Sequence, residues 1–358
     1  MLVNAERCTD RGATGETTVS DPCGAARDAD MPSLARALDP FEVHRQFEQR
    51  LKTWAGALES VRVAAIRVVR YKPRRRCVIE YDIEVERPQA ERLVVTLLGK
   101  VRVHRFGNSG LRLLRALWEA GFDAESQDGI SVPEPIGTVP AFQMWLQRRV
   151  PGSTVTELLS PEPFAEGLVR RVAEAAHKLH EAAVPAERHH GIHDELRILG
   201  ACLTKVGQTH PRWAPRLDRL LGLSARLAAT MVPAAARGIH RDFYADQLIV
   251  GDRRLSLIDF DLYCQGDPAL DVGNFIGHIT EQSIRLHGDP DRLSGLEQAM
   301  EDRFVELAGE QCRGAVRVYA ALTLARHVYL STLFPERQPF TGRLLELAES
   351  RVGSGGLR

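Results

Sequence analysis

The chain has 358 residues, 44% hydrophobic and 26% charged, which suffices for a sizeable core and suggests two lobes or one large domain with insertions. Its 47 basic residues balance 47 acidic ones, so no general field favours nucleic acid or an anionic membrane surface. No apolar run approaches the ~20 residues of a membrane span, no secretory signal layout opens the chain, and the six cysteines form no CxxC pair, so a cytoplasmic protein with reduced thiols is expected.

Residues 1–31 are rich in Gly, Ala, Thr and Asp without apolar periodicity and read as a disordered leader. From about residue 60 the pattern is β-like. "VAAIRVVRY" and "CVIEYDIEV" are apolar-rich strands separated by "KPRRR", a turn opened by proline. After the polar turn "ERPQAER", a third strand follows, "LVVTLLGKVRV". Leu111, Leu114, Leu117 and Trp118 recur at helical spacing over 110–122, with Gly121 as a stop. "AFQMWLQRRV" is a further strand, and Pro151-Gly152 ends the strand-rich part.

The second part is helical. Residues 161–183 place Phe164, Leu168, Val172, Ala176 and Leu179 on one stripe, 195–230 hold one or two helices, and 268–350 are helical again. The boundaries expected are 32–146 for a first lobe, 147–350 for a second, and a flexible tail at 351–358.

One small β insert interrupts the helices. "QLIV" (247–250) and "LSLID" (255–259) are strands joined by "GDRR", a tight polar turn. Pairing Val250 with Leu255 sets Gln247 opposite Ile258, so Asp242, Gln247 and Asp259 share the open mouth of the hairpin. Two carboxylates and an amide oxygen converging there suit a hard cation such as Mg²⁺ with phosphate oxygens. Acids brought together in this way are costly unless something positive binds them. The earlier "HHGIHDE" (189–195) has no such partner strand, and reads as a polar helix start rather than a three-histidine metal site.

"HRDFYADQ", then "LIDFD" and "GDPALDVGNF", resemble the catalytic segment of the aminoglycoside phosphotransferase and choline kinase-like family, relatives of protein kinases. The resemblance extends over roughly 45–350. It implies an α+β, bilobal protein kinase-like fold. A small antiparallel-sheet N-lobe with one main helix would bind the nucleotide, and a larger, mostly helical C-lobe would carry the catalytic hairpin. It also implies an ATP-dependent, or GTP-dependent, small-molecule kinase using Mg²⁺.

On this resemblance His240 and Asp242 are the catalytic pair, with Asp242 accepting or orienting the acceptor's hydroxyl proton. Gln247 and Asp259 hold metal, and Asp267 and Asp271 open a helix that braces the catalytic loop. Lys100 matches the third-strand lysine on the α- and β-phosphates. It is one of only five lysines in an arginine-rich chain. Glu119 is its expected ion-pair partner, backbone near Gln147 to Arg149 the expected adenine edge, and "YKPRRRC" the phosphate-covering turn.

Two features depart from the family. Gln247 stands where Asn is usual, which adds a methylene and a rotamer, and the phosphate-covering turn has no glycine. They motivate an alternative, a catalytically weak nucleotide-binding pseudokinase. No Ala-Pro-Glu follows "DFD" and "CQGDPALD" comes at once, which leaves no room for an activation segment and favours a small hydroxylated acceptor over a protein. Acidic and basic residues mix through 281–303, so a polycationic acceptor is not singled out. Oligomeric state is not legible.

Overall fold

The computed structural model describes residues 16–55, 60–86, 93–103, 109–159, 163–232 and 234–354. The chain divides into two compact units, Met1–Glu125 with Val132–Val150, and Ser126–Ser131 with Pro151–Arg358.

The first unit is built on a six-stranded sheet of order β1-β2-β3-β4-β7-β6. Its strands are β1 (Thr18–Ser20), β2 (Ser60–Lys72), β3 (Arg76–Glu86), β4 (Leu93–Arg102), β6 (Pro135–Val139) and β7 (Met144–Arg148). Alternation decides its faces. Cys77, Ile79, Tyr81, Ile83 and Val85 of β3 are buried, as are Val95, Leu97 and Val101 of β4, while the residues between them take the other face. The buried face packs on α1 (Ser33–Ala37) and α2 (Pro40–Ala55). Phe47 meets Tyr81 edge-on at 4.9 Å, and the Tyr81 hydroxyl donates to the Ala37 carbonyl at 2.9 Å. Each such buried aromatic contributes about 1.5–3 kcal/mol.

Three expectations change here. Residues 16–31, the described part of the expected leader, are ordered: β1 adds parallel to β2, and Ala25 and Met31 enter the core. Buried anchors and aspartate-capped turns order this segment without any apolar repeat. The strand-rich unit also has two substantial helices. α2 lies between β1 and β2, and α3 (Ser109–Leu117) follows β4 and widens into a π turn, Trp118–Phe122, with Gly121 at φ 92°. Finally, the expected boundary at 146 falls inside β7, which is bonded to β4 and β6.

The second unit is mainly helical. Its helices are α4 (Val155–Leu158), α5 (Pro163–Glu181), α6 (Ile192–Thr209), α7 (Ala214–Ala228), α8 (Ala269–His287), α9 (Ser294–Ala308), α10 (Arg313–Thr332) and α11 (Thr341–Gly353). On α5, Leu168, Val172, Ala176 and Leu179 are buried; the side chain of Phe164 lies outside the described residues. α8 is buried along most of its length, and Gly273 and Gly277 let α10 approach closely. The expected flexible tail begins later than residue 351, because α11 runs to Gly353 with Val352 buried and Arg351 paired to Glu297 at 3.2 Å.

Two small sheets complete this unit. One has the order β5-β12-β11-β8, from β5 (Ile130–Ser131), β8 (Ser153–Thr154), β11 (Leu248–Gly251) and β12 (Arg254–Leu257). Pairing of β5 with β12 draws residues 126–131 out of the first unit. The other has the order β10-β13-β9, from β9 (His189–His190), β10 (Arg237–Ile239) and β13 (Cys264–Gly266). Among the described residues no helix is long and apolar enough to cross a membrane, and the five described cysteines are free.

Candidate active site

The hairpin forms with the register its sequence suggests. Val250 pairs with Leu255 and Leu248 with Leu257. Asp252 and Arg253 both take positive φ (46° and 66°) in the two-residue turn, the backbone that matches the twist of the flanking strands. Beyond the ladder the Ile258 N–H donates to the Gln247 carbonyl at 2.9 Å, which sets Gln247 beside the start of the Asp259 turn. Asp259 itself is left-handed (φ 60°, ψ 59°), a conformation a non-glycine residue keeps only when its surroundings impose it.

Asp242 sits in the loop between β10 and β11. Burial pushes its carboxyl above the ordinary range and the Asp259 carboxylate adds to this, while His240, Arg326 and Arg241 oppose it. The two carboxylates are therefore near enough for the charge of one to act on the other.

Asp271, in the first turn of α8, is fully buried. Its Oδ2 accepts from the His240 N–H at 2.8 Å, and its Oδ1 from the Arg241 N–H at 2.7 Å. His180 Nε2 lies 2.9 Å from Oδ2. The carboxylate thus fixes the two residues before Asp242 and holds Arg241 at φ 69°. Asp267 Oδ1 accepts from the Ala269 N–H at 2.9 Å in the turn that leads into α8, and burial pushes the Asp267 carboxyl up.

His240, expected to be half of the catalytic pair, sits behind the loop. Its ring is fully buried against Phe260 and Phe243, and Nε2 lies 2.9 Å from the Ile258 carbonyl oxygen, so it ties the catalytic loop to the residue before Asp259. Its other ring nitrogen, Nδ1, is buried without a hydrogen-bond partner.

Comparison with known proteins matches residues 84–302 to the model of the phosphotransferase enzyme family. The chain belongs to that family. Among solved structures, a putative aminoglycoside phosphotransferase from Ralstonia eutropha is similar at 14% identity and TM-score 0.55, over 88% of this chain and 98% of the other. Aminoglycoside phosphotransferase APH(4)-Ia is similar at 15% identity and TM-score 0.52, over 87% and 99%. A choline/ethanolamine kinase family protein from Mesorhizobium loti is similar at 16% identity and TM-score 0.50, over 91% and 99%. No curated protein matches. The fold is the α+β, protein kinase-like one, and family membership makes the chain an enzyme, a phosphotransferase.

In the first unit of this phosphotransferase, Lys100 lies on the sheet face opposite the aromatic core, paired in register with Trp145, and its Nζ stands 5.1 Å from the centre of that indole. Glu119 is exposed on the π turn after α3. Gln147 is buried within β7. The Arg148 N–H donates to the Glu134 carbonyl and the Arg149 N–H to the Thr96 carbonyl, both at 2.9 Å. These two donors of the expected adenine edge are bonded to the carbonyls of Glu134 and Thr96. The Arg149 side chain is 3.5 Å from Glu80.

Sequence reasoning missed a second layer behind the catalytic loop. Asn274, fully buried one turn after Asp271, donates from Nδ2 to the Phe243 carbonyl at 3.1 Å. Arg326 of α10 donates to Asn274 Oδ1 at 2.7 Å and to Glu195 Oε2 at 3.3 Å. Glu195 Oε1 lies 2.6 Å from His190 Nε2. Burial alone would raise the Glu195 carboxyl, but His190 and Arg326 hold it below its usual range. "HHGIHDE" is therefore more than a polar helix start: β9 pairs with β13, which pairs with β10, and Glu195 anchors the arginine that steadies Asn274. The spacing of Asn274, three residues after Asp271 and so on the same helix face, is the one signal that could have revealed part of this layer.

Proposed function

We propose that this phosphotransferase moves the γ-phosphate of ATP, or of GTP, to a hydroxyl of a sugar, amino alcohol or aminoglycoside-like small molecule. The observation that carries this reading is Asp242, a half-buried carboxylate on a loop clamped by Asp271, with Asp259 close enough to act on its charge. Asp242 orients the acceptor hydroxyl and accepts its proton; clamping by Asp271 keeps that geometry from relaxing between turnovers. The Asp259 carboxylate and the Gln247 amide oxygen are hard oxygen donors, and with the Asp242 carboxylate repelling Asp259 they fit Mg²⁺. When bound, Mg²⁺ neutralises phosphate charge. In the first unit, Lys100 serves as a compact cation for the nucleotide phosphates, its direction restrained by Trp145.

Solved relatives support this reading. One structure of APH(4)-Ia is a ternary complex with AMP-PNP and hygromycin B, and spectinomycin phosphotransferase is in complex with ADP and its antibiotic. Only one short turn and β13 separate Asp259 from α8, which leaves little chain for an activation segment and favours a small acceptor.

Mass spectrometry of ATP·Mg²⁺ with pooled hydroxylated metabolites and aminoglycosides tests the proposal. A phosphorylated product formed by the wild-type chain and absent with Asp242→Ala supports it. ATP binding without any product across the pools would favour the second reading, a non-catalytic nucleotide-binding module, for which Gln247 is the motivating residue.

A further inference from the structure

The segment before the first helix plays no part in the chemistry above, yet it is tied to the turn between β2 and β3. Thr17 Oγ1 donates to the Val63 carbonyl at 2.7 Å, and β1 then runs parallel to β2. The carboxylate of Asp21 accepts the N–H groups of Ala25 (2.8 Å) and Ala26 (2.9 Å), turning the chain back. Ala25 and Met31 are buried in the sheet's core. Between these anchors lies Asp28. Its Oδ2 accepts from the Tyr71 hydroxyl at 2.8 Å and from the Arg74 N–H at 2.9 Å. Asp30 pairs with Arg74 Nε at 3.0 Å.

The turn has unusual needs. Arg74 is left-handed (φ 58°), a conformation that glycine adopts freely and arginine at a cost. The Asp28 bond falls on that same residue. A glycine-rich phosphate loop presents backbone N–H groups to its ligand, but here the Arg74 N–H is already taken. What the tip offers is side-chain charge: Lys72 with Arg70, Arg75 and Arg76 around it. Lys72 is pushed below the ordinary lysine range, first by Arg76, then by burial, Arg70 and Arg75. Like charges gathered in this way favour an anion with several oxygens.

We propose that residues 17–31 form a fixed strap, with Asp28 as its positioning residue, that holds the basic turn Lys72–Arg76 in one shape to bind the terminal phosphates of a nucleotide through side chains. This rests on the phosphotransferase reading above. The strap replaces the conformational freedom of glycine with a tertiary bond.

Titration calorimetry on the full chain with ATP, ADP and AMP in Mg²⁺ tests it, comparing wild type with Asp28→Ala and Asp28→Asn. Loss of a charge-assisted bond at Arg74 is expected to weaken ATP and ADP binding about tenfold while AMP is unchanged. The asparagine variant should fall between, since its amide oxygen still accepts one bond. Equal weakening of all three nucleotides, or none, would overturn the strap while leaving the phosphotransferase reading in place. Failure of the wild-type chain to bind ATP would overturn both. Should Asp28→Ala not fold, the same comparison is read from Asp28→Asn.

Discussion

Asp271→Ala removes the carboxylate that accepts the two backbone N–H groups before Asp242. The carboxylate is fully buried and takes two backbone N–H groups and the His180 ring nitrogen, all within 2.9 Å. Alanine leaves those groups buried without acceptor, at about 1–3 kcal/mol each. Part of this is returned because a buried charge also disappears. Breaking one side of a buried, hydrogen-bonded charge costs about 3–5 kcal/mol net, and that is the expected loss of stability. Asp271→Asn keeps one acceptor oxygen but turns an NH₂ toward a backbone donor, so at least half of the loss should remain. Urea unfolding gives the magnitude, and hydrogen exchange at the His240 and Arg241 amides gives the location. A loss below about 1 kcal/mol in urea, or unchanged amide protection, would refute the clamp.

Three further outcomes follow from the geometry. For Asp242, burial and Asp259 raise the folded-state carboxyl above its unfolded value, so this group penalises the folded state increasingly as pH rises from the ordinary carboxylate range through the raised one. In metal-free buffer Asp242→Asn should equal or exceed wild-type stability at pH 7, with the gap closing on acidification, and should transfer no phosphate; a variant less stable at pH 7 would contradict the sign. Arg326→Met leaves the buried Glu195 with His190 alone and removes the shorter of the two hydrogen bonds to Asn274 Oδ1. Its cost should be about 3 kcal/mol, and a double-mutant cycle with Glu195→Gln should give a coupling of at least ~1 kcal/mol, with additivity refuting the link. Gly273→Ala would set a Cβ 2.5 Å from Tyr319 Cβ and 2.7 Å from the Ala320 nitrogen and the Val316 oxygen. It should lower stability by about 1–3 kcal/mol in thermal unfolding, whereas Gly295→Ala in α9, which meets nothing within 4 Å, should not.

What the sequence by itself determined is local. A four-residue polar turn between "QLIV" and "LSLID" leaves one register that buries Leu248, Leu255 and Leu257, so the shared end of Gln247 and Asp259 could be read from pairing alone. The sheet faces of β3 and β4 followed from period-two alternation for the same reason. Tertiary structure decided what depends on partners far along the chain. Asp28 meets Arg74 46 positions away, and Arg326 meets Glu195 131 positions away. No periodicity encodes such meetings, and an isolated Asp or Arg reads as a solvated charge. His240 likewise looks reactive in "HRD" and becomes a buried tie only because Phe243, Phe260 and the Ile258 carbonyl close around it. Short-range pairing is set by residues that are already neighbours, whereas burial and long-range hydrogen bonds exist only once the packed elements have brought their donors and acceptors together.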